Sequence, residues 1–513
     1  MAVAVAFIMA WGRTGVEPGP AEPALAVLAG FRRDVHGSFT RRADALFELG
    51  DAVLCSPGPV TDLARLSLAP EFRRGHGALY DALNCGHAGF ARLRRALAGL
   101  PLPSWGDGRI RLAVDVSSWL RPDAGTSPQR LFCHVTGRGK NPGTAVPGWP
   151  YSFVAALGPG SSSWVLPLDA VRLGPGDDET EVTAAQLRDV TVRLIAAGHW
   201  AQGDPPAIVA MDAGYNVTRL AFLLADLPLV LVARVRSGRV FYRDPAPRPR
   251  GPGMPPRHGE PVRCADPATQ ESPDLACSGA TRHGPVAVAA WNRVHQALHR
   301  ACGGWQDHPP RTRFPVVAGT LIRLAPAAAA GLPPMWLWAS GPCAGPEETR
   351  SLWQCYLRRF DLEHAFRFLK QQLGWTRPLL RDPAAADRWT WLLLAAYAQL
   401  YLTRTLPPGA RLPWQPRRPG PPAAAATPGR ARAAFRHARA AVGTPASVAR
   451  PASPGPGRPP GSKNKNKAPR QPVGKTRPEP SQDNKNRKHS KKTGLNAKLS
   501  QLKTFTIMKT SSI

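Results

Sequence analysis

The spacing of apolar residues changes along the chain, and its first part has helical spacing. Leu63 and Leu66 are three positions apart, and Leu79 and Leu83 follow at a spacing of four. Residues three or four apart lie on one face of a helix. We therefore predict a helical N-terminal domain over residues 24–105. Two short helices in it form either a helix-turn-helix or part of a plain helical bundle.

From residue 109 the pattern becomes that of strands. The apolar runs RIRLAVDVSSWL, RLFCHVTG, YSFVAAL and SSWVLPLDAVRL are separated by turns rich in Gly and Pro. An amphipathic helix, TEVTAAQLRDVTVRLIAAGHW, comes next, and a strand, a helix and a further strand follow it. This order predicts a mixed α/β domain with a largely buried sheet over residues 109–236.

Residues 237–344 interrupt this pattern. Segments rich in Gly and Pro alternate there with short β-like runs, which predicts a mainly β insertion. Pro346 and the two glutamates after it suit the first turn of a long helix, so the α/β domain resumes over residues 345–404. The remaining residues, 405–513, are rich in Pro, Ala and Arg, a composition typical of a disordered tail.

Positive charge is concentrated in that tail. The formal net charge is +32, and residues 401–513 contain 24 Lys and Arg against two acidic residues. A basic tail on a mildly basic body favours a polyanionic partner, most commonly nucleic acid. The alternative is a solvated tail that only keeps the protein soluble.

Cysteine spacing and hydropathy restrict the cellular setting. None of the eight cysteines forms a C-x-x-C pair, which argues against a zinc site or a disulfide framework and favours free thiols in a reducing cytosol. The apolar N-terminal run lacks a positively charged leader, so we expect no signal peptide. The longest later apolar stretch, residues 389–403, is shorter than the roughly 20 residues of a membrane-spanning helix. We expect a soluble cytoplasmic protein.

One predicted helix, over residues 354–375, carries polar residues on a single face. At about 100° per residue, Tyr356, Arg359, Glu363 and Lys370 fall within an arc of roughly 60°. An adjacent stripe of apolar residues is suited to packing on the sheet. The periodicity fits both a structural ion-pair network and a site for phosphate and metal.

Two aspartates in strand-like runs add to this face. Asp115 lies inside LAVDVSS, and Asp212 ends AIVAMDAG. A carboxylate in an apolar strand is costly to bury unless it is paired or bound to metal. With the helical Glu363, these residues supply three carboxylates, which can hold two Mg²⁺ ions about 4 Å apart for displacement at a phosphodiester.

The segment YLRRFDLEHAFRFLK resembles the Y-x(2)-R-x(3)-E-x(6)-K signature of bacterial insertion-sequence transposases. These enzymes belong to the DDE transposase and retroviral-integrase superfamily, whose catalytic domain is RNase H-like. LAVDVSS and VAMDAGYN precede the signature in the expected order, and the resemblance extends over roughly residues 25–400. The separation of 151 positions from Asp212 to Glu363 implies a larger or less regular insertion than is usual.

The resemblance implies a role for each matched residue. Asp115, Asp212 and Glu363 would be the catalytic triad that binds two Mg²⁺ or Mn²⁺ ions, and Tyr356, Arg359 and Lys370 would contact the phosphates of the transposon end. The implied reaction is hydrolysis at that end, after which the freed 3′-hydroxyl attacks target DNA. The active complex would be a homodimer on double-stranded DNA, associated with a bacterial nucleoid. A nuclease that only cuts DNA and a DNA-binding protein that has lost catalysis remain as alternatives.

Three further arginines are candidate DNA contacts. Arg73 and Arg74 precede the second short helix of the possible helix-turn-helix. Arg458, in GPGRPPGSKNK, lies in a segment that resembles an AT-hook, although Pro456 replaces its first arginine. Generic electrostatic binding by the same segment is the alternative.

Overall fold

The protein is described from a computed structural model. The structure describes residues 21–135, 143–160, 162–246, 254–270, 272–281, 284–300, 304–306, 308–309, 311–326, 333–343, 345–406, 425–450, 459–462 and 468–474.

Helices make up most of the N-terminal region, as its apolar spacing predicts. They are α1 (Ala21–Ser38), α2 (Ala43–Cys55), α3 (Leu63–Leu66), α4 (His76–Cys85) and α5 (Phe90–Ala98), with a small pair of strands, β1 (Phe39–Arg41) and β2 (His87–Ala88). Leu46, Leu79 and Leu93 are among their buried residues. Whether the region is a separate domain stays a prediction.

A mixed sheet, eleven-stranded in the described part of the chain, lies behind the catalytic candidates. Its first six strands are β3 (Arg111–Leu120), β4 (Arg130–Val135), β5 (Thr144–Leu157), β6 (Val165–Arg172), β7 (Ala207–Met211) and β8 (Leu229–Val235). β3 pairs in parallel with β7 and antiparallel with β5, and β7 pairs in parallel with β8. A large mixed sheet in an α/β protein is consistent with an RNase H-like core.

Helices cover both faces of this sheet. α6 (Glu179–Ala196) and α7 (Val217–Leu223) belong to the part of the chain between β6 and β8. The Ser152 hydroxyl donates to Gln186 of α6 at 2.6 Å, whereas the ring of the next residue, Phe153, lies 5.0 Å from that of Phe366. Successive strand residues point to opposite faces, so α6 and the later helix that carries Phe366 lie on opposite sides of the sheet.

The segment predicted as an insertion is β-rich and continues the same sheet. It contains β9 (Val240–Tyr242), β10 (Pro261–Arg263), β11 (Leu275–Thr281), β12 (Gly284–Val294), β13 (Gly319–Pro326) and β14 (Met335–Ser340). β9 and β10 form a separate antiparallel pair. β14 pairs with β8, where Trp338 faces Ala233. The four strands β11 to β14 therefore extend the mixed sheet instead of forming a second one.

Three further helices follow, α8 (Pro346–Arg358), α9 (Phe360–Gln371) and α10 (Pro383–Thr403). α10 is apolar around most of its circumference, the pattern of a helix buried on all sides. It packs on β6 and on α1, α2, α4 and α5, and thereby joins the N-terminal helices to the sheet. In the described residues, no helix is long and apolar enough to cross a membrane.

The prediction of disorder from residue 405 is wrong for residues 428–442. These residues form α11 (Pro428–Val442), which packs on α1, α2 and α10. Phe435 is fully buried, and the Arg439 guanidinium donates to Asp51 at 2.8 Å. This helix was not predicted because its few apolar residues are dispersed among alanines and arginines. A last strand, β15 (Val473–Gly474), pairs with β4 at the sheet edge.

Candidate active site

Asp115 lies in the middle of β3, directly after four buried strand residues. Its carboxylate accepts a hydrogen bond from the Val116 N–H at 2.9 Å, and only 18% of its side chain is exposed. Burial raises the pKa of Asp115 to about 6, an increase that Arg359 opposes and that the charges of Asp212 and Glu363 reinforce. The cost of burying this carboxylate, expected from the sequence, is therefore present and only partly compensated.

Asp212 follows the last residue of β7, the parallel neighbour of β3. Ala113 pairs with Ala210, so Asp115 and Asp212 both lie two residues beyond the same rung of the ladder. The turn after Asp212 is closed by the Tyr215 N–H, which donates to the Asp212 carbonyl at 3.3 Å. The pairing register places the two residues side by side on neighbouring strands.

The helix predicted over residues 354–375 is divided at Arg359. The backbone of Arg359 stays in the right-handed helical region, and its N–H donates to the carbonyls of Cys355 and Tyr356 at 3.2 and 3.1 Å. The predicted apolar stripe is buried against the sheet, with Cys355, Leu362, Phe366, Leu369 and Leu373 as its members. Its packing turns the adjacent polar face towards the strand aspartates.

Arg359 lies among the three predicted catalytic carboxylates. Its Nη1 is 2.5 Å from Asp115 Oδ2, and its Nη2 is 3.3 Å from Glu363 Oε1 and 3.9 Å from Asp212 Oδ1. A single guanidinium thus faces all three acidic side chains, although they are far apart in sequence. The fold brings together the predicted triad, and it also forms the ion-pair network that was the alternative interpretation.

The donor set suits a divalent cation. Carboxylate oxygens are the ligands that Mg²⁺ prefers, and three of them around one guanidinium leave a net negative charge. In the part of the chain that the structure describes, no three acidic, histidine or cysteine side chains are grouped to hold a metal ion by themselves. Instead, Arg359 faces Asp115, Asp212 and Glu363 and supplies the local positive charge.

The other two predicted phosphate contacts lie on either side of this cluster. Tyr356 is buried, with its ring centroid 5.9 Å from the Arg359 guanidinium carbon. Lys370 is eleven residues beyond Arg359, about 16 Å along a helix, and its Nζ lies 5.5 Å from the ring of Trp375. Burial lowers the pKa of Lys370. A shared helical face therefore does not bring Lys370 to the carboxylates.

The N-terminal candidates have partners inside the protein. Arg73 donates to Glu48 at 2.6 Å, and Arg74 lies 3.1 Å from Asp44. Both also donate to the Ser447 carbonyl, at 3.2 and 3.0 Å. These contacts give the two arginines a structural role, and their binding to DNA stays a prediction. Arg458 lies outside the described residues.

Tyr215 is a site residue that the sequence did not single out. Its hydroxyl is buried and has no hydrogen-bond partner among the described residues. Burial raises its pKa well above the usual value, and the charge of Asp115 adds to the increase. The only available signal was its position three residues after Asp212, where a turn tyrosine is equally well explained by packing.

Comparison with known proteins adds one result. A family model for the DDE superfamily endonuclease matches residues 34–297. The matched region contains Asp115 and Asp212 and ends before Glu363. No curated protein matches the sequence.

Proposed function

The chain belongs to the DDE superfamily endonuclease family, and we propose on that premise that it is a transposase of the bacterial insertion-sequence type. Membership supports an enzyme of the nuclease and transposase class that acts on DNA. The proposed reaction cuts a phosphodiester bond at the transposon end and joins the freed 3′-hydroxyl to target DNA. A homodimer bound to both ends is the proposed active complex.

The observation that carries this proposal is the convergence of Asp115, Asp212 and Glu363 on one guanidinium. Endonucleases of this family generally use divalent metals. Two Mg²⁺ or Mn²⁺ ions held by these carboxylates would supply activation of the attacking oxygen and stabilisation of the leaving oxygen. The carboxylates are held by a strand, a strand end and a helix, which are rigid supports.

The remaining residues of the face have roles that follow from their positions. Arg359 neutralises the carboxylates and, once cations do so instead, its planar fork is available for a DNA phosphate. Tyr356 packs under that guanidinium and restricts its movement. Lys370, further along α9, would contact a phosphate away from the reacting bond.

The test is metal-dependent cleavage of a supercoiled plasmid that carries the DNA flanking the coding region on both sides. We expect nicking with Mg²⁺ or Mn²⁺ and none with EDTA. Glu363→Gln preserves shape but removes a ligand charge, and it should lower the rate by about 100-fold or more while DNA binding survives.

Glu347→Gln is the matched control, because Glu347 is an exposed glutamate in the first turn of α8. It should cleave like the unmodified protein. Undiminished cleavage by Glu363→Gln would contradict the proposal. Cleavage without joining of the 3′-end to a second duplex would favour a simple endonuclease, and binding without cleavage would favour a protein that has lost catalysis.

A further inference from the structure

Residues 468–474 of the basic tail lie against β4, the strand next to the edge of the eleven-stranded sheet, here called the catalytic sheet. β15 pairs in parallel with β4, where Val473 faces Arg130 and Gly474 faces Leu131. The Gln471 N–H donates to the Gly125 carbonyl at 2.9 Å. An edge strand exposes unpaired backbone groups, and here a distant segment of the same chain covers part of that edge.

Side chains on both strands are adapted to this contact. The Arg130 side chain is buried and donates to the carbonyls of Ser127, Arg121 and Gln471, the last at 3.4 Å. A Cβ atom added at Gly474 would lie 2.6 Å from Pro175 Cβ and 3.2 Å from Leu131 Cδ2. Only glycine fits at that position without displacement, so the close approach depends on the residue present.

This edge belongs to the same sheet as β3, the strand that carries Asp115. β4 is separated from β3 by β5 alone, and Leu131 and Leu120 both pair with Gly148. Adjacent strands are about 4.8 Å apart and strand residues rise about 3.4 Å each. β15 therefore lies about 14 Å across the sheet from Leu120, which is itself about 17 Å along β3 from Asp115. Burial raises the pKa of the Cys133 thiol on β4, and the nearby ammonium of Lys370 opposes this increase.

The sequence around the docked segment is strongly basic. Residues 458–492 contain twelve Lys and Arg against two acidic residues. Such a run binds duplex DNA through phosphates. A run that is tethered at one point acts at a high local concentration near that point.

We propose that residues 468–474 are an anchor that holds the basic tail, in cis, at the β4 edge of the catalytic sheet. The flanking Lys and Arg then contact phosphates of the same duplex that is cleaved. This inference rests on the proposed function for the identity of the bound DNA. Arg359, Lys370 and the anchored tail together define one path for the duplex, from the carboxylates to the sheet edge.

Amide hydrogen exchange at Gln471 tests the anchor in the full-length protein without DNA. We expect at least tenfold protection in the unmodified protein, and loss of that protection in Gly474→Val, because the added side chain meets Pro175. Pro469→Val is the control, since Pro469 is exposed. The Gln471 amide should remain protected from exchange in this variant. Equal exchange in the unmodified protein and Gly474→Val would overturn the anchor. Protection that disappears on dilution would overturn its assignment in cis.

A photo-crosslinking residue in place of Asn466 tests the DNA contact. Gly474→Val changes no charge, so total DNA affinity should be similar. In the unmodified protein, cross-links should lie within about one helical turn of the cleaved phosphate, and in the variant they should spread along the duplex. Equally spread cross-links in both proteins would overturn the DNA contact. A protein that cleaves no DNA would overturn the proposed function and this contact together, whereas exchange at Gln471 would still decide the anchor.

Discussion

At the residue scale, the burial of Asp115, the proposed metal ligand on β3, has a thermodynamic cost. Its folded pKa of about 6 exceeds the ordinary value of 3.8 because of burial. A group whose pKa is raised by folding stabilises the protein below the unfolded pKa, and this contribution is lost as the pH rises through the folded pKa. Between pH 4 and 7, the ionisation of Asp115 therefore reduces the free energy of unfolding by up to about 3 kcal/mol.

Asp115→Asn should remove this cost, because asparagine resembles the protonated acid. In EDTA at pH 7, we expect the variant to be as stable as the unmodified protein or more stable, with the difference shrinking towards pH 4. Cleavage should be abolished. Denaturant unfolding at several pH values and the plasmid assay measure both effects. A variant that is several kcal/mol less stable at pH 7 would show that Asp115 is mainly a structural partner of Arg359.

At the scale of the element, the helix pair α8 and α9 places Arg359 and Lys370 in different surroundings. Arg359 joins three carboxylates, whereas Lys370 packs beside Trp375, three turns further along. The interruption at Arg359 occurs without leaving helical geometry, so the polar face predicted from the periodicity is retained. Two residues of one sequence signature can therefore have separable functions.

Arg359→Lys and Lys370→Ala should produce different losses. Lysine keeps the charge but loses the planar fork whose two separate nitrogens reach Asp115 and Glu363, so Arg359→Lys should lower both the melting temperature and the cleavage rate. Lys370→Ala should weaken DNA binding and reduce the slope of log affinity against log salt by about one unit.

Arg350→Lys is the control, because Arg350 is an exposed arginine of α8 that pairs only with Glu347 among the described residues. Arg350→Lys should change neither the melting temperature nor the cleavage rate appreciably. Melting curves and binding titrations at several salt concentrations separate the cases. Parallel losses of stability and activity in both test variants would favour a purely structural network.

At the scale of the whole molecule, one buried carboxylate joins three distant parts of the chain. Asp51 of α2 accepts from Arg32 of α1 at 2.8 and 2.9 Å and from Arg439 of α11 at 2.8 Å. Arg32 also donates to Gln399 of α10 at 2.7 Å. The part of the C-terminal basic region that forms α11 is thus part of the folded body.

Two truncations should separate these parts. Deletion of residues 450–513 removes sixteen Lys and Arg, so it should weaken non-specific DNA binding and flatten its salt dependence while the fold and the recognition of end sequences persist. Deletion of residues 425–513 also removes α11 and exposes the site of Phe435. It should cost about 3–5 kcal/mol or more. Circular dichroism melting and DNA titrations measure both outcomes, and equal melting temperatures would contradict the structural role of α11.

The sequence determined those features of the protein that depend on local spacing. Tyr356, Arg359, Glu363 and Lys370 share a face because the helical period acts over a few residues. The strands of residues 109–236 and the β character of residues 237–344 follow from local apolar runs separated by Gly- and Pro-rich turns. The tertiary structure decided which of these features meet.

The parallel pairing of β3 with β7 placed Asp115 beside Asp212, and packing of α9 on the sheet brought Arg359 between them and Glu363. The burial of α11 and the docking of β15 also arose only in the folded chain. Pairing register and long-range ion pairs depend on contacts between residues hundreds of positions apart. The free energy of such contacts is not encoded in the spacing of any single segment.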